Sequence, residues 1–216
     1  MQWTAEFDLN HLLGLFWGGL LLLSMFVPCS EQLADLAMHG KLIARPSAWL
    51  VPKRWFSHFY IYAFFASLLY RGVNSSGSIL LLLHLNRRWL EQTVCFPGDS
   101  ESKMHAIAYI FSFVFYSAVI LTVPDSAQSV FLWVIGNVGQ FLSHRDLFMN
   151  RMGSGCKRNP PNTWLFRFLN CPHYAFEMLI YISLSGGDWA SFWMTSFVIV
   201  SLSVNWRNHS RWYSTR

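Results

Sequence analysis

Of the 216 residues, 53% are hydrophobic, 18% aromatic and only 12% charged, where an average soluble domain carries roughly 25% charged residues. That composition excludes an ordinary soluble domain and predicts an all-α fold: a polytopic transmembrane helical bundle, one domain over residues 1–216. The net charge of +5 is accounted for by basic loops flanking apolar segments, so no nucleic-acid partner is implied.

The apolar residues fall in seven blocks separated by polar loops. Hydrocarbon imposes this pattern, because each spanning segment must satisfy its own backbone hydrogen bonds as a helix. Met1 to Asn10 carries Glu6 and Asp8 in place of a basic region, and no small-residue cleavage site follows. The first block, Leu12 to Val27, is therefore predicted to be a retained helix rather than a cleaved signal peptide. The others run Phe56 to Tyr70, Ser78 to Leu90, Ala106 to Val123, Ser129 to Leu142, Tyr174 to Ser185 and Trp189 to Val204. Several are shorter than the roughly 20 residues of a typical span. Snorkelling flanks and the thinner bilayer of the endoplasmic reticulum accommodate such lengths.

Charge placement tests this organisation independently. Lys41, Arg45, Lys53 and Arg54 occupy the first loop, Arg87, Arg88 and Lys103 the third, Arg145, Arg151, Lys157, Arg158 and Arg167 the fifth, and Arg207, Arg211 and Arg216 the tail. Only Arg71 of the 16 Lys and Arg falls on the other side, which predicts a lumenal N-terminus and a cytosolic C-terminus. The cysteines at 29, 95, 156 and 171 form no C-x-x-C pair, so neither a metal site nor a structural disulfide is expected.

Polar chemistry then concentrates at the cytosolic helix ends. The fifth loop, Ser143 to Thr163, reads either as a solvated basic loop or as a holder of a phosphorylated ligand. Its G-S-G triplet is not a dinucleotide fingerprint, which needs a preceding strand. In L-H-L-N-R-R-W-L-E, Leu83 to Glu91, Arg87 and Glu91 are four apart and can pair, and His84 lies one turn from Arg87 and Arg88. His84 and Arg88 read as structural first and as substrate- or phosphate-facing second. Glu177 interrupts C-P-H-Y-A-F-E-M-L-I-Y-I-S-L, Cys171 to Leu184. An ionisable group at that depth marks either an interhelical bond or a function, and Tyr174 shares its helix face.

The segment V-P-K-R-W-F-S-H-F-Y, Val51 to Tyr60, closely resembles a block of the steroid 5α-reductase family in its polyprenol (polyprenal) reductase branch. Leu83 to Glu91 resembles the family's L-H-x-x-R-R-x-x-E, Asn170 to Glu177 its S-x-N-Y-x-x-E, and N-H-S-R-W-Y, Asn208 to Tyr213, its closing H-x-[FW]-Y. The resemblance implies a seven-helix, NADPH-dependent enzyme of the endoplasmic reticulum membrane that reduces a carbon-carbon double bond conjugated to a carbonyl, here on an isoprenoid lipid of the dolichol pathway.

By the same resemblance Glu177, Tyr174, Tyr213 and Asp146 match cofactor-binding positions, and His173 stands where the family has an asparagine. Arg151 and Arg158 are candidates for the cofactor phosphates. His58 falls near a substrate-facing glutamate and becomes the catalytic candidate, donating to the substrate carbonyl. Ser210 occupies the place of the closing histidine, with His209 beside it, and the chain ends at Arg216 where relatives continue, so a shortened C-terminus is expected. Two alternatives remain: a trans-2-enoyl-CoA reductase, whose C-P-N-Y-x-x-E lies close to Cys171 to Glu177, and a non-catalytic lipid-binding member. The sequence leaves the oligomeric state open.

Overall fold

The computed structural model describes residues 2–29, 49–97, 102–153 and 160–214. Within them lie eight α-helices: α1 Gln2–Phe26, α2 Phe56–Arg71, α3 Ser76–Leu90, α4 Ala106–Thr122, α5 Val130–Gly153, α6 Trp164–Phe168, α7 Pro172–Leu184 and α8 Trp189–Ser214. All seven predicted blocks are helical. The short α6 and a two-stranded antiparallel sheet were not foreseen. In the sheet, β1 Leu50–Pro52 pairs with β2 Lys103–His105 in the register Leu50 to His105. It fastens the first and third loops together, and Lys53 N–H extends it to Ser102 C=O over 2.8 Å.

Helix ends follow local chemistry. Ser75 caps α3, its hydroxyl accepting from the Ser78 N–H over 3.2 Å. Gly72 ends α2 at φ 63°, a conformation favourable only to glycine, and Pro172 occupies the first turn of α7, where its missing N–H costs nothing. Helices α5 and α8 continue past the predicted Leu142 and Val204 to Gly153 and Ser214. In α5 the reason is a buried polar stripe, Asn137, Gln140, Ser143 and Asp146, which keeps helical spacing after the apolar run stops.

The helices alternate in direction. The start of α1, the ends of α2 and α4 and the start of α8 meet at one pole around a cavity of about 290 Å³ lined by Asn10, Arg71, Asp125 and Asp188. Arg71 is fixed there by bonds to Ser78 Oγ, Ile120 C=O and Asp125 Oδ1, at 3.0, 3.1 and 2.8 Å, which gives the one basic exception a structural task. The end of α3, the C-terminal half of α5 and the start of α7 gather at the opposite pole, which carries the polar cluster described below.

The core between the poles is apolar and aromatic, with Trp17, Phe59, Tyr116, Ile180, Tyr181 and Met194 among its buried members. Trp17 donates Nε1–H to Thr122 Oγ1 over 2.9 Å, so its indole is buried without an unmet donor. Two glycines set the spacing that matters most. A methyl on Gly136 would stand 2.7 Å from Ile180 Cγ1, and one on Gly139 would stand 2.4 Å from the Phe176 ring. That close approach of α5 to α7 brings Gln140 opposite Glu177.

Among the described residues α1 alone is both long and apolar enough to cross a membrane by composition, through Leu9–Phe26 at mean hydropathy 1.6, and α4 is a shorter apolar helix. The remaining helices place polar residues on their inward faces, which lowers their mean hydropathy while large apolar side chains such as Leu69, Phe131 and Phe192 stay exposed outside.

Candidate functional site

The site grows from the last turns of α3. His84, Arg87, Arg88 and Glu91 recur at helical spacing, so all four project to one face, and a π-helical turn, Glu91–Cys95, continues the helix at its end. His84, Arg88 and Glu91 are buried, at 1%, 6% and 1% exposure. Opposite them α5 presents Asn137, Gln140 and His144, again at helical spacing.

Arg87 organises the contact. It donates Nε–H to Asn137 Oδ1 over 2.9 Å, Nη1 to Glu91 Oε1 and Nη2 to Gln140 Oε1. Arg88 donates Nη1 to Glu91 Oε2 over 2.5 Å and Nη2 to the Tyr60 hydroxyl of α2 over 2.9 Å. His144 Nδ1 lies 2.8 Å from Glu91 Oε2 and from Arg88 Nη1. A single ring nitrogen serves one of them, and with Arg88 Nη1 already given to the carboxylate, Nδ1–H goes to Glu91 as well. Burial alone would raise the Glu91 carboxyl, but the His144 hydrogen bond and the Arg88 charge hold it well below the usual carboxylate range. Glu91 is therefore a permanent anion that clamps both arginines, and the second negative group facing them is Glu177.

Glu177 lies on α7, half-buried, with Gln140 as its polar neighbour and Arg88 and Arg87 as its nearest opposing charges. The Gln140 amide reaches toward it without closing a bond short enough to satisfy Nε2. Around the same helix start, the His173 ring packs 4.1 Å from Tyr174 and 5.8 Å from His144. The Tyr174 hydroxyl lies 3.3 Å from His209 Nδ1, whose hydrogen is directed to Asn205 C=O over 3.0 Å. Tyr213 neighbours Cys171 and Arg151. Lys53, before α2, completes this pole. Burial of its ammonium first, then the nearby Arg151 and Arg88 charges, pull it down to about 8, and its contact is the Phe56 ring at 5.4 Å.

The sequence candidates thus divide. Glu177, Tyr174, His173, Tyr213, Arg88 and His84 belong to this pole. Arg151 is exposed on α5, bonding Leu147 C=O over 3.1 Å. Asp146 is buried on the inward stripe of α5, with Arg145 Nη2 at 3.4 Å. Arg158 lies outside the described residues. His58 is exposed on the outer face of α2, its Nδ1 3.0 Å from the Tyr109 hydroxyl. Residues two apart on a helix point in nearly opposite directions, so turning Tyr60 inward to Arg88 turns His58 outward. Residues unforeseen from sequence are Lys53, Tyr60, Asn137, Gln140 and His144. The spacing of Asn137, Gln140 and His144 inside an otherwise apolar run is the signal that marks three of them.

Chemically the pole offers cations near its rim and, inside, polar atoms without partners: His173 Nδ1, Gln140 Nε2 and His84 Nε2. Orphaned buried donors and acceptors cost roughly 1–3 kcal/mol each, so they fit a polar ligand that bonds them. A dinucleotide, with phosphates for the rim and an amide and hydroxyls for the interior, meets that requirement. No group of three or more His, Cys, Asp or Glu able to hold a metal stands among the described residues.

Residues 102–216 match the family described as 3-oxo-5-alpha-steroid 4-dehydrogenase. A polyprenal reductase of Saccharomyces cerevisiae is 27% identical over 180 residues, 77% of this chain and 69% of that protein. Polyprenal reductase 1 of Arabidopsis thaliana is 23% identical over 265 residues, 85% of this chain and 82% of that protein. A very-long-chain enoyl-CoA reductase of Dictyostelium discoideum is 37% identical over 54 residues, 25% of this chain and 18% of that protein.

Proposed function

The chain belongs to the 3-oxo-5-alpha-steroid 4-dehydrogenase family, and from that premise we propose that it is an NADPH-dependent polyprenal reductase, a multi-pass protein of the endoplasmic reticulum membrane feeding dolichol synthesis. Its relatives named polyprenal reductase, each spanning more than two thirds of its length, support the substrate. The alternating bundle, with Arg71 the one Lys or Arg at its far pole among the described residues, supports the membrane reading.

The single observation that carries the reading is the convergence of Glu177, His173 and Tyr174 with Arg88, beside orphaned polar atoms of His173, Gln140 and His84. When bound, NADPH supplies the hydride that adds to the β-carbon of the conjugated aldehyde while a proton joins the α-carbon, so the double bond is saturated and the aldehyde retained. An allylic alcohol has no electron sink for that addition, which makes polyprenal the substrate rather than polyprenol.

The protein's part is to bind, orient and hold charge. Glu177 accepts from an amide or ribose hydroxyl, and Lys53, Arg151 and Arg158 take the phosphates. Arg88 donates to the Tyr60 oxygen, which leaves the phenolic hydrogen for the substrate oxygen, where negative charge develops. Tyr60 holds this place better than His58 because it faces the interior. Asp146 and Tyr213 shape the rim.

One observation favours a second reading: the 54-residue similarity to an enoyl-CoA reductase. Purified protein offered polyprenal or a trans-2-enoyl-CoA, with NADPH, separates the two. A third outcome, saturable lipid binding without turnover, would identify a non-catalytic member.

A further inference from the structure

Two buried side chains share an unusual state. His84 is 1% exposed and Gln140 wholly buried, and each has one polar atom fully bonded and one with no partner. The network fixes the character of both orphans. Asn137 gives its amide hydrogen to Trp133 C=O over 2.9 Å, so its Oδ1 is the acceptor for Arg87 Nε–H at 2.9 Å and for His84 Nδ1 at 3.0 Å. His84 therefore carries its hydrogen on Nδ1, and Nε2 is a bare acceptor. Gln140 Oε1 accepts from Arg87 Nη2, so Nε2 is a donor with two hydrogens: one is turned toward the Glu177 carboxylate without a closed bond, and the other is left for a ligand. Arg87 thus holds Gln140 directly through Nη2 and His84 through the shared acceptor Asn137 Oδ1, so one guanidinium fixes both side chains at the inner end of the polar cluster.

We infer that His84 Nε2 and Gln140 Nε2 form a recognition pair for a primary carboxamide, the acceptor taking its N–H and the donor its C=O. On the dinucleotide reading proposed above, on which this rests, that group is the amide of the nicotinamide ring. An unprotonated phosphate or carboxylate oxygen has nothing to give His84 Nε2. A metal lacks further ligands here, since no cluster of His, Cys, Asp or Glu accompanies His84 among the described residues. An amide carries both an acceptor and a donor, the two roles these orphans leave open. Depth agrees, since Lys53 and Arg151 lie nearer the loops of this pole and His84 sits a turn further in than Arg88.

The test compares equilibrium binding of NADPH with that of its reduced 3-acetylpyridine analogue, in which a methyl replaces the amide nitrogen and the carbonyl stays. Detergent-purified wild type, His84→Phe and Gln140→Met are titrated by tryptophan fluorescence. The wild type should bind the analogue about tenfold more weakly than NADPH, the scale of one buried neutral hydrogen bond. In His84→Phe the ratio should fall to about one, and in Gln140→Met both ligands should weaken alike. Equal binding of the two by wild type, or an unchanged ratio in a folded His84→Phe, overturns the pair. Should His84→Phe fail to fold, His84→Asn, whose shorter amide can keep the Asn137 bond without reaching the place of Nε2, is titrated instead and is read by the same two outcomes. Absence of NADPH binding to wild type overturns the dinucleotide reading itself, an outcome distinct from equal binding of both ligands.

Discussion

Arg88 of α3 gives its Nη2 hydrogen to the hydroxyl of Tyr60 on α2 over 2.9 Å, with its guanidinium 5.0 Å from the centre of the same ring. The bond joins two helices in the interior and orients a phenol whose own hydrogen remains to be given. Tyr60→Phe removes that donor together with the acceptor for Arg88 Nη2, while the ring keeps its contact with the guanidinium. Turnover should fall by about 100-fold, within the range for loss of a positioned proton donor, with KM for the lipid nearly unchanged. His58→Phe, on the outer face, should change turnover by less than about threefold. Steady-state kinetics on both variants check the assignment, and the reverse ranking would return the donor role to His58.

Glu177→Gln keeps shape but exchanges an anionic acceptor for a neutral one. NADPH affinity should drop by about 1.5–3 kcal/mol, the scale of a charge-assisted hydrogen bond. Melting without ligand should shift little, because Glu177 makes no bond to the arginines of the kind Glu91 makes. A large loss of stability with unchanged affinity would make Glu177 an interhelical strut.

Glu91 is that strut. Glu91→Gln leaves Arg87 and Arg88 buried with one counter-charge fewer, and breaking such a pair costs about 3–5 kcal/mol. The variant should unfold earlier in detergent whether or not NADPH is present, read by circular dichroism. An unchanged midpoint would mean that the arginines find solvent.

Lys53 predicts a pH dependence. Its ammonium is lowered to about 8 in the folded protein, first by burial and then by Arg151 and Arg88, so between that value and its unfolded pKa the folded state binds fewer protons. Ligand-free stability should therefore rise with pH across that window. A bound phosphate reverses the bias by favouring the charged form. NADPH affinity should be full below pH 8 and fall as the pH climbs through the raised pKa of the complex. Lys53→Met should bind NADPH about tenfold more weakly at pH 7 and lose this slope, as calorimetry in two buffers of different ionisation enthalpy can show. A slope retained in Lys53→Met would place the titrating group elsewhere.

The sequence carried the helices because apolar blocks and basic loops are properties of single segments. The block boundaries at Phe56 and Ala106 coincide with the helix starts. It carried the Arg87–Glu91 pair for the same reason, since four-residue spacing is local. The burial of that pair was not legible, nor was the inward turn of Tyr60 in place of His58, because the first depends on which face of α3 meets α5 and the second on which face of α2 meets α3. Gly136 and Gly139 decide the approach of α5 to α7, and a glycine in an apolar helix does not announce its neighbour. The short sheet escaped notice because three-residue strands leave no periodic trace, and its pairing joins loops about fifty positions apart.

The most direct measurement is turnover by the purified protein in lipid nanodiscs, with NADPH consumption and products followed by mass spectrometry for polyprenal, polyprenol and a trans-2-enoyl-CoA in parallel. The account predicts NADPH-dependent saturation of the α-isoprene double bond of polyprenal, yielding the saturated aldehyde, with no turnover of polyprenol and little of the thioester. Reduction of polyprenol with polyprenal left untouched, or turnover of the thioester alone, would contradict it.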